Sequence, residues 1–240
     1  MSSGKNRAAK ARQIVAEQKA AERRRTVTLW TSVGVVLVLF VAGLIGYTAL
    51  SGQDEGKLVI PSTAVDEGTA FAVGTGPVVV DVYEDFMCPA CGTFEAASGP
   101  TLKQLADSGK ITIRFHPVAI LDQYSNGTEY STRAAAASAA AAQEGKFTEL
   151  HDVLYANRPE ENSTGLSDAR IIELAASVGL TSDTFVTAVN EGTYKAWATQ
   201  ATETFSKRDF TGTPTILVAG QQLENPTTEL LTEAVTTAAG

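Results

Sequence analysis

The 240-residue chain holds two cysteines, and they stand three residues apart in Cys88-Pro89-Ala90-Cys91. A pair at that spacing can close a short disulfide, reopen as a dithiol, and exchange two electrons with another pair of thiols. The surrounding sequence favours this chemistry. The β-branched run Val78–Tyr83 reads as a strand, and Pro89 suits the first turn of a helix, where its missing N–H would have no partner anyway. Cys88 is then expected at the N-cap, among unpaired N–H groups at the positive end of the helix dipole. Both effects stabilise a thiolate, so its pKa should fall below the free value of ~8.5. Cys91, one turn on, should face inward and resolve the mixed disulfide formed at Cys88.

Other uses of the two cysteines fit less well. A disulfide between positions three apart closes almost no loop, so it adds little stability through chain entropy. A zinc site needs four ligands, and the further candidates, His116 and His151, are not at finger-like spacing. His116 lies before Pro117 at a strand end and His151 between Leu150 and Leu154 on a helix. Both read as structural or surface residues. Tyr83 and Phe86 flank the active-site turn, as rim of a groove or as packing. Phe147, Tyr155, Trp197 and Phe205 read as core.

The elements that must position the cysteines follow from pattern. Strands are expected at Phe71–Val73, Val78–Tyr83, Ile111–His116 and Thr215–Ala219, with a hairpin turn at Gly220-Gln221 and a partner strand from Leu223. Helices are expected from Pro89 to about Ser108, interrupted near Gly99-Pro100, then over Glu129–Gln143 and Phe147–Ala156. Further ones follow from a cap at Ser167 or Asp168, over Thr184–Asn190, Thr193–Arg208 and Thr227–Ala238. The order implies an α/β (α+β) domain with a small mixed sheet and helices inserted in its middle.

Charge divides the chain. The whole carries −8, but residues 1–25 hold eight Lys/Arg and two Glu, so this head is +6 and the remainder −14. An acidic body argues against duplex binding, and no nucleic-acid partner is expected. No charged residue occurs from Thr26 to Gln53, and Val27–Leu50 is apolar enough and long enough to span a hydrocarbon core of about 30 Å. Trp30 and Tyr47 stand near its ends. The positive-inside rule puts residues 1–25 in the cytoplasm and the body outside. The expected organisation is a basic segment 1–25, a transmembrane helix 26–50, a tether 51–68 and a folded domain 69–240. The alternative for the apolar run is a cleaved signal peptide, although the run exceeds the usual signal core.

Over roughly residues 69–240 the chain resembles the DsbA-like branch of the thioredoxin superfamily. The resemblance is carried by the strand and motif VDVYEDFMCPAC, the later segment Phe210-Thr211-Gly212-Thr213-Pro214-Thr215-Ile216-Leu217-Val218, and the helical block between them. It implies a thioredoxin-like fold with a helical insertion over about 121–209, and a cis bond at Thr213-Pro214 packed against the CxxC. Cys88, Cys91, Thr213 and Pro214 are then the site residues. The implied activity is the introduction of disulfides into exported, unfolded proteins, without a dissociable cofactor. The implied partner is a quinone-linked membrane protein of the DsbB or vitamin K epoxide reductase type. Two positions depart from the pattern. The buried acid that many relatives carry six residues before the first cysteine is Val82 here, which leaves Glu84 and Asp85 as water-linked proton acceptors or as solvated loop acids. Ala90 replaces a histidine that some strongly oxidising members place between the cysteines. A reductase or isomerase, a chaperone-like binding module and a zinc-binding regulatory domain remain open alternatives.

Overall fold

Pro77 and the β-branched residues after it set the centre of the sheet. In a computed structural model that describes residues 56–240, Val78–Glu84 forms β2, whose Val80 and Val82 are completely buried. It pairs in parallel with β3, Ile111–Pro117, and antiparallel with β4, Thr215–Val218. The outer strands are β1, Phe71–Gly74, beside β3, and the two-residue β5, Gln221–Gln222, beside β4. The sheet order is β1-β3-β2-β4-β5. The basic segment 1–25, the apolar segment 26–50 and the start of the 51–68 tether lie outside the described residues. Among the described residues no helix is long and apolar enough to cross a membrane.

Helix α1, Pro89–Asp107, joins β2 to β3 and buries Phe94, Leu102 and Ala106 against the sheet. The sequence suggested a break at Gly99-Pro100, but the helix runs through it. Proline removes one backbone hydrogen bond, while Leu102 and Ala106 beyond it remain anchored in the core. Five helices fill the insertion: α2 (Tyr130–Gln143), α3 (Phe147–Ala156), α4 (Asp168–Ser177), α5 (Asp183–Glu191) and α6 (Lys195–Ser206). Ser167 caps α4 and Ser182 caps α5, each accepting the backbone N–H three residues on. Alanine dominates α2, and every residue from Ala134 to Ala142 is buried. The chain ends in α7, Thr228–Ala239, capped by Thr227 and packed on the sheet through Leu231 and Val235.

Of the residues assigned from sequence to the core, Phe147, Trp197 and Phe205 are buried, while Tyr155 is partly buried against a second apolar cluster. Trp197 is completely buried and donates its indole N–H to the Gly68 carbonyl at 2.6 Å, with the Phe71 ring tilted against it at 5.1 Å between centroids. That bond also shows that the 51–68 stretch is not a free tether along its whole length. Asp66 is ion-paired to Arg114 and Ser62 donates to Gln143. Residues 57–60 form no strand. Tyr83 and Phe86 are both buried, so packing accounts for them rather than a groove rim.

Candidate active site

Strand β2 ends and helix α1 begins within five residues, and the cysteines sit at that junction. Cys88 is the N-cap with extended backbone, and Pro89 is the first helical residue. The Cys91 N–H points at the Cys88 sulfur at 3.4 Å, one of the free N–H groups of a helix start put to use. The thiols are not joined, and their surroundings differ. Cys88 keeps 6% of its surface exposed, whereas Cys91 keeps none. The Cys88 pKa is lowered to about 6, chiefly because the Cys91 thiol hydrogen-bonds to it. That outweighs partial burial, and Thr213 and the N–H groups of Cys91 and Ala90 assist. Cys91 is pushed the other way, well above its usual value, by burial and by the neighbouring Cys88. One sulfur is therefore a thiolate at neutral pH that keeps a small exposed edge, and the other a stored thiol.

Facing this pair is the segment before β4. The Thr213-Pro214 bond is cis, and the Thr213 carbonyl lies 3.3 Å from the Cys88 sulfur. All four residues singled out from sequence, Cys88, Cys91, Thr213 and Pro214, thus meet at one place. Beside them runs a groove of about 550 Å³, walled by Ala90, Thr93 and Phe94 of α1, by Pro214, and by Pro226 and Thr227 ahead of α7.

The acids next to the motif are not solvated, contrary to one of the readings that the sequence allowed. Glu84 and Asp85 are completely buried. Asp85 accepts from the Met87 N–H at 2.8 Å, the Leu121 N–H at 3.0 Å and the Ser131 hydroxyl at 2.6 Å, so it ties the active-site turn to the insertion. Burial still raises its pKa to about 7. Glu84 lies 3.0 Å from Nε2 of His151, whose Nδ1 is 3.1 Å from Asp152, and Asp152 is bridged to Lys103. Burial opposes charge on His151, but Glu84, Asp152 and Glu95 overcome it and raise its pKa to about 10. Glu95, one turn after Cys91 on α1, is raised to about 7 by burial.

His151 is therefore structural, as its sequence context suggested, and it is also a buried cation behind the motif. Its pairing with Glu84 spans 67 residues and left no local signal. The spacing of Glu95 from Cys91 was the one readable hint. His116 lies with Asp81 and Asp66, beside Arg114. The imidazoles of both histidines are engaged with carboxylates rather than with the cysteines, which does not suit a zinc site built on the motif.

Comparison with known proteins agrees with this geometry. Residues 70–237 match the family model described as Thioredoxin. The reduced disulfide bond oxidoreductase DsbG from Mycobacterium tuberculosis is 34% identical, with a TM-score of 0.64, 73% of this chain and 89% of that one being covered. Oxidised DsbA from the same organism is 34% identical with a TM-score of 0.63, over 71% of this chain and 93% of the other. The curated serine/threonine-protein kinase PknE of Mycobacterium tuberculosis is 27% identical over 160 residues, and the match takes in 62% of this chain and 28% of that protein. The chain thus spans little more than a quarter of the curated relative. With an ionised cysteine at a helix start, a buried partner and a cis-proline shelf already in place, the chain belongs to the thioredoxin family, and its domain is of the DsbA/DsbG thiol–disulfide oxidoreductase type.

Proposed function

We propose that this protein is a membrane-anchored, extracytoplasmic oxidase that introduces disulfides into exported proteins. The observation that carries the reading is the unequal pair: a Cys88 sulfur with a pKa of about 6 beside a buried Cys91 thiol. A reduced motif held as a thiolate is a stabilised product, which favours taking electrons from substrates.

In the oxidised enzyme a substrate thiolate attacks the Cys88 sulfur. The Cys88–Cys91 bond breaks, a substrate–Cys88 bond forms, and Cys91 leaves as a thiolate that takes up a proton. A second substrate thiolate then attacks the substrate sulfur of that mixed disulfide and expels Cys88 as a thiolate. The substrate gains one disulfide and the motif holds two electrons. The groove beside Ala90 and Pro214 suits an extended substrate segment paired against the backbone at Thr213, as an added strand. Reoxidation by a quinone-linked membrane partner of the DsbB or vitamin K epoxide reductase type completes the cycle. The uncharged run Val27–Leu50 behind a +6 head supports the anchor and the outward orientation of the domain.

Cys91→Ala tests the reading directly, because Cys88 then holds its partners as mixed disulfides. Exported proteins and a membrane protein are expected in the trapped set, and Cys88→Ser traps none. A motif found reduced in growing cells, with a potential near that of cytosolic thioredoxin, would favour the reductase instead. A mature N-terminus at Gly52 would remove the anchor.

A further inference from the structure

Arg158 lies just beyond α3, far in sequence from the motif but against it in space. Its Nη1 donates to the Met87 carbonyl at 3.1 Å and to the Pro159 carbonyl at 2.8 Å. On the other side it fills the space above Gly92. A Cβ at that position would stand 3.0 Å from the Arg158 Nε and 3.2 Å from its Cδ. Met87 immediately precedes Cys88. Gly92 follows Cys88 by four residues, so the two share one face of α1. The guanidinium thus lies along the side of the helix start that bears Cys88.

What sets this arginine apart is its charge balance. Of the five arginines among the described residues, Arg114, Arg133, Arg170 and Arg208 each have a carboxylate oxygen within 4.0 Å, and Arg158 has none. It is half-buried and bonds carbonyl oxygens only. The motif itself contributes no cation, since its inner residues are Pro89 and Ala90. The ionisable residues that hydrogen-bond Met87 and Cys88, namely Asp85 and Cys91, carry either negative charge or none, and the buried cation His151 is paired to Glu84.

We propose that Arg158 is a positioning residue for Cys88: it braces the active-site turn through the Met87 carbonyl and lends its uncompensated positive charge to the Cys88 thiolate. The glycine at position 92 is then the vacancy that lets the guanidinium approach. The same charge draws anionic groups toward the sulfur. This inference rests on Cys88 being the nucleophile, as proposed above.

The test is alkylation of the reduced full chain with a neutral reagent, iodoacetamide, and an anionic one of similar size, iodoacetate. Cys91 is fully buried and does not compete. A cation beside the sulfur speeds the anionic reagent selectively. Arg158→Met is expected to lower the iodoacetate-to-iodoacetamide rate ratio by about fivefold, and to move the midpoint of thiolate absorbance at 240 nm to higher pH. Arg158→Lys should restore most of both. Arg158→Gln, which keeps a donor for Met87, should lower the ratio like Met if charge is the cause. In the unmodified protein the ratio should fall as salt rises, opposite to the trend that the acidic body alone would give. An unchanged ratio in Arg158→Met or Arg158→Gln, or equal slowing of both reagents, would assign the residue to packing alone and overturn the proposal. Slow alkylation of the unmodified Cys88 by both reagents at neutral pH would instead remove the nucleophile, and with it the proposed oxidase.

Discussion

Two histidine–carboxylate pairs are buried on opposite faces of β2, three residues apart along the strand. On one face Asp81 meets His116 at 3.2 Å, and on the other Glu84 meets His151 at 3.0 Å. Each imidazole is 1% exposed, so burial alone gives no reason for them to differ. Yet burial lowers the His116 pKa, while that of His151 rises to about 10. The difference lies in what the carboxylate has already bound. Asp81 takes the Arg114 guanidinium through two oxygens at 2.6 and 2.9 Å, and Arg114 also reaches Asp66. A second cation at His116 is then redundant and opposed by Arg114. Around Glu84, Asp152 and Glu95 no arginine intervenes; Lys103 bridges Asp152 from the surface, and the imidazolium is the cation beside Glu84. A buried histidine is charged or neutral according to the unmet charge around it.

The comparison can be broken most forcefully at Glu84. Glu84→Gln leaves the His151 charge buried without its nearest partner, and denaturant unfolding should show a loss of about 3 kcal/mol. Arg114→Met is the next largest change and the more instructive one. It frees Asp81, so the His116 imidazole should become protonated above its ordinary range, a rise that NMR titration of the ring would register. The accompanying loss should be about 2 kcal/mol, because Arg114 is only partly buried.

The pH dependence of the two histidines should then run in opposite directions. His151 has its folded pKa raised from 6.5 to about 10, so its contribution is complete below 6.5 and is lost as pH rises through about 10. His116 has its folded pKa lowered, so its contribution is present above 6.5 and fades as pH falls through the folded value. The stability gap between the unmodified protein and His151→Asn should close toward pH 10, and the gap to His116→Asn should close toward acid. Parallel slopes in the two series would contradict the account. The smallest effect is expected at the exposed end of the Glu84 chain. Lys103→Met removes a bridge at the surface and should cost about 0.5 kcal/mol or less.

How far the sequence foretold these features depends on their range. The motif, the N-cap proline and the strand before them are local, and the pattern of residue types is enough to place them. The cis bond at Thr213-Pro214 was read from resemblance, since no local rule separates it from an ordinary turn proline. The burial of Glu84 and Asp85 was not legible. It depends on partners 67 and 46 residues away, His151 and Ser131, which the insertion brings to the end of β2. The helix break expected at Gly99-Pro100 failed for a related reason. A local penalty of one missing hydrogen bond was weighed without the tertiary contacts of Leu102 and Ala106 that outweigh it.

The alanine helix α2 sets a boundary on how such a protein can change. With methyl groups at most of its buried positions, its separation from its neighbours is fixed by main-chain thickness, and no flexible side chain can absorb an added atom. Ser131 in its first turn grips Asp85, and Asp85 grips the turn that presents the reactive sulfur. Any thickening of this helix is therefore felt at the chemistry, however far from it the altered residue stands. Change is better accommodated in the outer walls of the groove, leaving this interior as a fixed framework.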